Sequence, residues 1–179
     1  MKNWKLLKTD SIYESKWMSL FSDTYELPDG KEESDYLRLE RDNYVVIFAI
    51  NKNNEVLVER QYRRGVDLIN TELPAGNLDG DEKPEEAAIR ELKEETGYNC
   101  LPLHSFEIFP QPAFITFRAH IVICELQDQE DKGIGDHDEF IEHSLMKLSA
   151  LEQNILDGNI QDNSLITALG FYKLLLNQK

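Results

Sequence analysis

The sequence predicts an α/β protein in which a small antiparallel β-layer precedes a larger region of strands and helices. Three observations carry this. The first forty residues fall into short alternating segments, residues 43–62 hold two apolar runs joined by a polar loop, and residues 84–96 and 149–177 favour helices.

In chain order, Trp4 to Thr9, Ile12 to Trp17, Leu20 to Leu27 and Ser34 to Glu40 read as strands, with Pro28-Asp29-Gly30 as a turn. Asn43 to Ile50, rich in Val, Ile and Phe, is expected to be a buried strand. Asn51 to Asn54 is a hairpin loop, and Glu55 to Tyr62 is the second strand of the pair. Leu101 to Phe109 and Phe114 to Leu126 are further strands. Ser149 to Asn177 forms two helices broken at Asp157-Gly158-Asn159, the second capped by Asp162 or Asn163. No internal repeat or low-complexity linker divides the chain, and two regions are expected, residues 1–42 and 43–179.

The central stretch runs from Gly76 to Tyr98. Gly76, Gly80 and Asp81 are turn residues, Pro84 suits the first turn of a helix, and Gly97 suits a left-handed stop. On the helix between, Ala88, Ile89 and Leu92 form an apolar stripe that would seat it on a core. Glu91, Glu94 and Glu95 stand at i, i+3 and i+4, so three carboxylates share one face. Arg90 and Lys93 do not sit centrally on that face. Like charges so placed repel, and the pattern makes sense if a hard divalent cation supplies positive charge; a solvated acidic helix is the alternative on carboxylate count alone.

Composition narrows the function classes. A chain of 179 residues with 41% hydrophobic and 30% charged residues has the make-up of an ordinary globular protein. Its net charge of −15 argues against nucleic-acid partners, capped RNA included, but not against a phosphate-bearing small molecule whose bound cation inverts the local sign. No apolar run has the length of a membrane span or signal peptide, so no membrane partner is expected. Cys100 and Cys124 lack metal-ligand spacing and are expected to be reduced and half-buried, which suits the cytoplasm.

Gly76, five residues, Glu82, seven residues, Arg90-Glu91-Leu92, one residue, Glu94-Glu95, one residue and Gly97-Tyr98 resembles the Nudix box at every fixed position. Similarity to the ADP-ribose pyrophosphatase branch extends beyond the box. Gln61-Tyr62-Arg63 and Glu72-Leu73-Pro74-Ala75-Gly76 both look like segments of that branch. The resemblance implies a Nudix α/β/α sandwich with a mixed sheet, and an N-terminal β-layer that serves dimerisation, hence a homodimer. It also implies hydrolysis of the diphosphate of ADP-ribose or a related nucleoside diphosphate sugar. The metal would be Mg²⁺ or Mn²⁺, held by Glu91, Glu94, Glu95 and the Ala75 carbonyl.

Other roles follow from the same resemblance. Arg63, with Arg64 in reserve, would meet substrate phosphate, although a basic strand edge at Arg60, Arg63 and Arg64 is the plainer reading of the residues. Glu72 is a substrate-side or supporting group, or half of a structural salt bridge with Arg90 or a neighbour. Arg90 would orient a box glutamate, and Glu82 would be a more remote ligand or a support for the loop. Pro112 falls fifteen residues after Gly97, as in members that prefer ADP-ribose, but Gln111-Pro112-Ala113 departs from the usual Ser-Pro-Gly-like turn. The acidic segment 127–138 leads to Glu139 as the expected general base, with Asp136, Asp138 and Glu142 as alternatives. His137 and His143 could work at neutral pH, but a lone exposed histidine is more often incidental. A triphosphate or NADH-type dinucleotide pyrophosphatase is the alternative activity. A retired, non-catalytic ligand sensor is disfavoured by the complete set of box carboxylates.

Overall fold

The computed structural model describes residues 2–110, 114–130 and 140–178. The chain forms two compact units, one from residues 1–43 and 108–119, the other from 44–107 and 120–179.

The first unit is built on a three-stranded antiparallel sheet in the order β1-β2-β3, comprising β1 (Lys5–Glu14), β2 (Ser19–Glu26) and β3 (Glu32–Glu40). Of the four expected N-terminal segments, the first two are one continuous strand. β1 absorbs the polar Asp10-Ser11 through a register shift beside Ser11 instead of turning there. Residues 114–116, expected to open a later strand, instead lie along β3: Leu39 donates to the Phe114 carbonyl at 2.9 Å, and Thr116 donates back to Leu39 at 3.1 Å. The expected strand therefore begins at Ala119.

The focus of this unit is Asp23, fully buried on β2. Its carboxylate accepts hydrogen bonds from Arg38 at 2.5 Å, Thr9 at 2.8 Å and Tyr25 at 3.2 Å. The Arg38 guanidinium, which also pairs with Glu40 and covers the Phe21 ring at 4.6 Å, holds the Asp23 carboxyl below its ordinary range. Trp4, Tyr25 and Tyr36 meet edge to face, with centroids 5.7–6.3 Å apart.

The second unit is a mixed seven-stranded sheet with helices on both faces. Its strands are β4 (Tyr44–Ile50), β5 (Glu55–Arg63), β6 (Leu68–Glu72), β7 (Ala75–Asn77), β8 (Tyr98–Ile108), β9 (Ala119–Gln129) and β10 (Glu142–Lys147). The path runs β10-β5-β4-β9-β8, with β6 pairing β5 and β7 pairing β4. β4 is buried on both faces, as a continuous apolar run requires when helices cover each side. Val45, Ile47, Ala49 and Leu57 pack on α1 (Pro84–Thr96) through Ala87, Ala88 and Leu92. The expected stripe is thus rotated. Ile89 is turned outward, and two alanines take the inner face, which permits a close helix–sheet approach.

On the opposite face, Phe48 stacks on Tyr172 and Phe106 on Phe171, both rings from α3 (Asn163–Leu176), which follows α2 (Leu148–Leu156). Asp162 caps α3 by accepting from the Leu165 amide at 2.7 Å. Both cysteines are free thiols and buried, more so than expected. No described helix is long and apolar enough to cross a membrane.

Asp23→Ala should destabilise the protein by on the order of 2 kcal/mol, since among the described residues Arg38 keeps only Glu40 as an ionic partner. A depressed carboxyl contributes stability that is present above its unfolded value of 3.8 and lost as pH falls through the lower folded value. The gap in melting temperature between wild type and variant should therefore close on acidification. A gap unchanged at acid pH would show that the carboxylate charge is not its source.

Candidate active site

The site is assembled where α1 packs on β4 and β7, beside β5 and its partner β6. Glu86 accepts from the Lys83 amide at 3.2 Å, Pro84 opens the helix, and Gly97 ends it at φ 72°, donating to the Lys93 carbonyl. These boundaries place Glu91, Glu94 and Glu95 on one face of the helix, beside β7 and β5.

Gly76 is part of β7, not of a turn, and pairs with Val45. Its need for glycine is steric. A Cβ there would fall inside the van der Waals envelope of the Glu91 carboxylate, so the missing side chain is the space that Glu91 fills. The same strand carries Ala75 opposite Val46, and the Pro74 carbonyl accepts from Ile47 at 2.9 Å. β4 therefore fixes the backbone that faces the helix.

Arg90 reaches further across the acidic face than its position on the helix suggests. Its guanidinium donates to Glu82 at 2.7 and 3.0 Å, to Glu91 at 2.8 Å, to Glu94 at 3.4 Å and to the Asn77 carbonyl at 3.1 Å, with Asp79 at 3.7 Å. Glu82 thereby ties the loop before α1 to the helix, and Arg90 holds its carboxyl below the usual range. Glu91 behaves differently. Burial pushes its carboxyl up, Arg90 pulls it down, and the charges of Glu94 and Asp79 push it up again. One guanidinium among four carboxylates leaves the face electron-rich. Lys93 does not relieve this, because it turns to Glu130 at 2.9 Å.

On β5, the residues sharing the face of Leu57 are Glu59, Gln61 and Arg63. Arg63 forms a bidentate pair with Glu72 of β6 at 2.8 and 2.7 Å, which settles that Glu72 pairs with Arg63 and not with Arg90. Glu59, Gln61 and Glu72 are all buried, a polar row inside an otherwise apolar layer. Arg64 lies just beyond the strand, exposed. On the other face of β5 a cleft of about 540 Å³ is lined by Arg60, Tyr62, Ile69, Phe140, Ile141 and Glu142. Glu142 pairs there with Arg60 at 3.6 Å, away from the box carboxylates.

His143 is not the lone exposed histidine that the sequence suggests. It lies directly across from Glu59 in the β5–β10 register, largely shielded, with Nε2 at 3.3 Å from Glu59 Oε2. Sequence reasoning missed Glu59 as well; its one signal was a glutamate inside an apolar run. Pro112, Glu139, Asp136, Asp138 and His137 lie outside the described residues.

The donors on α1 fit a hard divalent cation. They are carboxylate oxygens, two of them bonded to the single Arg90 guanidinium, set against a backbone kept close by Gly76. A sheet covered on both faces, with this glutamate-lined helix against it, defines an α/β protein with a carboxylate-rich site. Residues 40–169 match the family model for the NUDIX domain, and residues 4–36 match that for the nucleoside diphosphate sugar hydrolase N-terminal domain. The chain belongs to the Nudix family. It is 29% identical to a methanol dehydrogenase activator of Bacillus methanolicus, over 95% of this chain and 92% of that one. It is 31% identical to an ADP-ribose pyrophosphatase of Bacillus subtilis, over 77% of this chain and 75% of the relative. A crystal structure of an ADP compounds hydrolase superposes with a TM-score of 0.80 at 20% identity, over 99% of this chain and 96% of that chain, which establishes the shared fold.

Gly76→Ala should leave the chain folded, because only the flexible end of Glu91 has to move. Displacing that carboxylate should still lower hydrolytic turnover by roughly a hundredfold, the usual penalty for an ångström-scale misplacement. Circular dichroism with steady-state kinetics checks both halves, and unchanged turnover would show that Glu91 need not occupy this space.

Proposed function

We propose that this chain is a metal-dependent pyrophosphatase that hydrolyses the diphosphate of ADP-ribose or a closely related nucleoside diphosphate sugar, releasing a nucleoside monophosphate and a sugar phosphate. The observation that carries it is the α1 face itself: Glu91 seated under Gly76 and bonded to Arg90, with Glu94 and Glu95 within the same turn. The matches to the NUDIX domain and to a nucleoside diphosphate sugar hydrolase N-terminal domain support the substrate class.

Glu91, Glu94, Glu95 and the Ala75 carbonyl would hold Mg²⁺, or Mn²⁺ in its place. When bound there, the metal supplies positive charge for the diphosphate oxygens and acidifies water. The chain's own residues do the rest. Arg90 keeps the Glu91 carboxylate in place and, through Glu82, locks the preceding loop to the helix. Arg63, already forked against Glu72, is a guanidinium that would exchange this carboxylate for a substrate phosphate, with Arg64 beside it. Glu139 would accept the proton of the attacking water as a new phosphorus–oxygen bond forms and the bridging oxygen leaves. Pro112 would border the substrate. The N-terminal region, residues 1–42, would pair two subunits into a homodimer working in the cytoplasm. Its exposed Trp4, Leu6, Leu7, Ile12 and Tyr13 are the surface that such pairing would cover.

A Mg²⁺-dependent panel of ADP-ribose, ADP-glucose, GDP-mannose, NADH, diadenosine polyphosphates and nucleoside triphosphates tests the reading. Turnover is expected to be highest with ADP-ribose or a nucleotide sugar, and preference for a triphosphate would overturn the substrate class. Glu94→Gln and Glu95→Gln should each cut kcat severely with the fold intact; near-wild-type turnover in either would refute the metal assignment. Glu139→Gln should lose about 10²–10⁴-fold. A loss below tenfold would move the base to Asp136, Asp138 or Glu142.

A further inference from the structure

The Glu59–His143 pair is a conflict that the proposed reaction does not explain. The Glu59 side chain is only 4% exposed, and that of His143 is 22% exposed. Among the described residues, neither Glu59 Oε2 nor His143 Nε2 has a hydrogen-bond partner, although the two atoms stand 3.3 Å apart. A carboxylate oxygen left unsatisfied in the interior is costly, because its lost hydration is not replaced. From α1, Glu95 brings a second carboxylate to the same point. One donor atom from each of Glu59, Glu95 and His143 lies within 4.8 Å of the others. Three elements of the fold thus converge on one small volume with lone pairs facing inward.

We propose that Glu59, Glu95 and His143 form a binding position for a divalent transition-metal ion, which shares Glu95 with the all-oxygen set of Glu91, Glu94, Glu95 and the Ala75 carbonyl but differs from it in chemistry. An ion about 2.0–2.2 Å from each donor would hold ligand atoms up to roughly 4.4 Å apart, so the three need to contract by only a few tenths of an ångström. One imidazole nitrogen with two carboxylate oxygens selects Mn²⁺, Fe²⁺, Co²⁺ or Zn²⁺ over Mg²⁺, which takes oxygen and keeps its waters. The cross-strand register supplies the geometry: β10 places His143 opposite Glu59 without any help from a loop. Through Glu95 the position adjoins the carboxylate face of the proposed reaction, and to that extent rests on that reading. Its effect would be to fasten the end of α1 to β5 and β10 and to give the site a preference among metals.

Pulsed electron paramagnetic resonance of the full-length chain loaded with one equivalent of Mn²⁺ tests this directly, since a coordinated imidazole couples its nitrogen to the metal. Wild type should show nitrogen coupling. His143→Gln should abolish it, Glu59→Gln should weaken Mn²⁺ binding about tenfold or more, and Glu94→Gln should retain it. The chain has four histidines, so if His143→Gln does not fold, the triple variant His104→Gln, His120→Gln, His137→Gln must keep the coupling on His143 alone. Absence of nitrogen coupling in wild type overturns the proposal and leaves an ion pair. Its persistence in His143→Gln, or its loss from the triple variant, does so as well. The readout is independent of turnover. A chain that binds Mn²⁺ through nitrogen but hydrolyses no diphosphate keeps this site and loses the pyrophosphatase reading; active hydrolysis without nitrogen coupling does the reverse.

Discussion

The interaction on which the site depends is the seating of the Glu91 carboxylate in the space that Gly76 leaves open, with Arg90 bonded to it from the same helix. Removing a carboxylate from water costs free energy unless hydrogen bonds or opposite charge replace its hydration. Arg90 offsets that cost and at the same time draws Glu82 and the Asn77 carbonyl onto one guanidinium. A single side chain therefore sets the distance between β7, the loop before α1 and the helix. The inward alanines, Ala87 and Ala88, allow α1 to come that close.

The polar row on β5 and β6 shows how a buried layer tolerates charge. Arg63 and Glu72 neutralise each other in a bidentate fork, although Arg63 remains about half exposed and so stays accessible to a ligand. Glu59 and His143 are placed by register, not by hydrogen bonding, and their donor atoms face one another without completing a bond. The first pair is satisfied as it stands. The second is arranged as though a third charge belonged between them.

Much of the second unit was legible in the sequence because its signals are local. Pro84 and Gly97 bound the helix through backbone geometry that each residue sets for itself. The i, i+3, i+4 spacing of the glutamates fixes their shared face wherever the helix sits. The N-terminal strands were less legible. Asp10-Ser11 looks like a turn, but pairing with β2 carries the chain straight through it. Phe114 to Thr116 looks like the start of β9, but those residues run beside β3. Short segments of this kind take their conformation from the partner strand, which composition does not name.

The sequence by itself determined the carboxylate-bearing helix, its boundaries and the family to which the chain belongs. Backbone preferences and side-chain periodicity act over a few residues, and the box is contiguous. Only the tertiary structure decided that Gly76 makes room for Glu91, that Arg90 gathers four carboxylates, that Arg63 answers Glu72, and that His143 meets Glu59 beside Glu95. Each of those depends on strand register and on the angle at which α1 lies against the sheet. Such contacts join residues up to 84 positions apart, from Glu59 to His143, and no local preference encodes them.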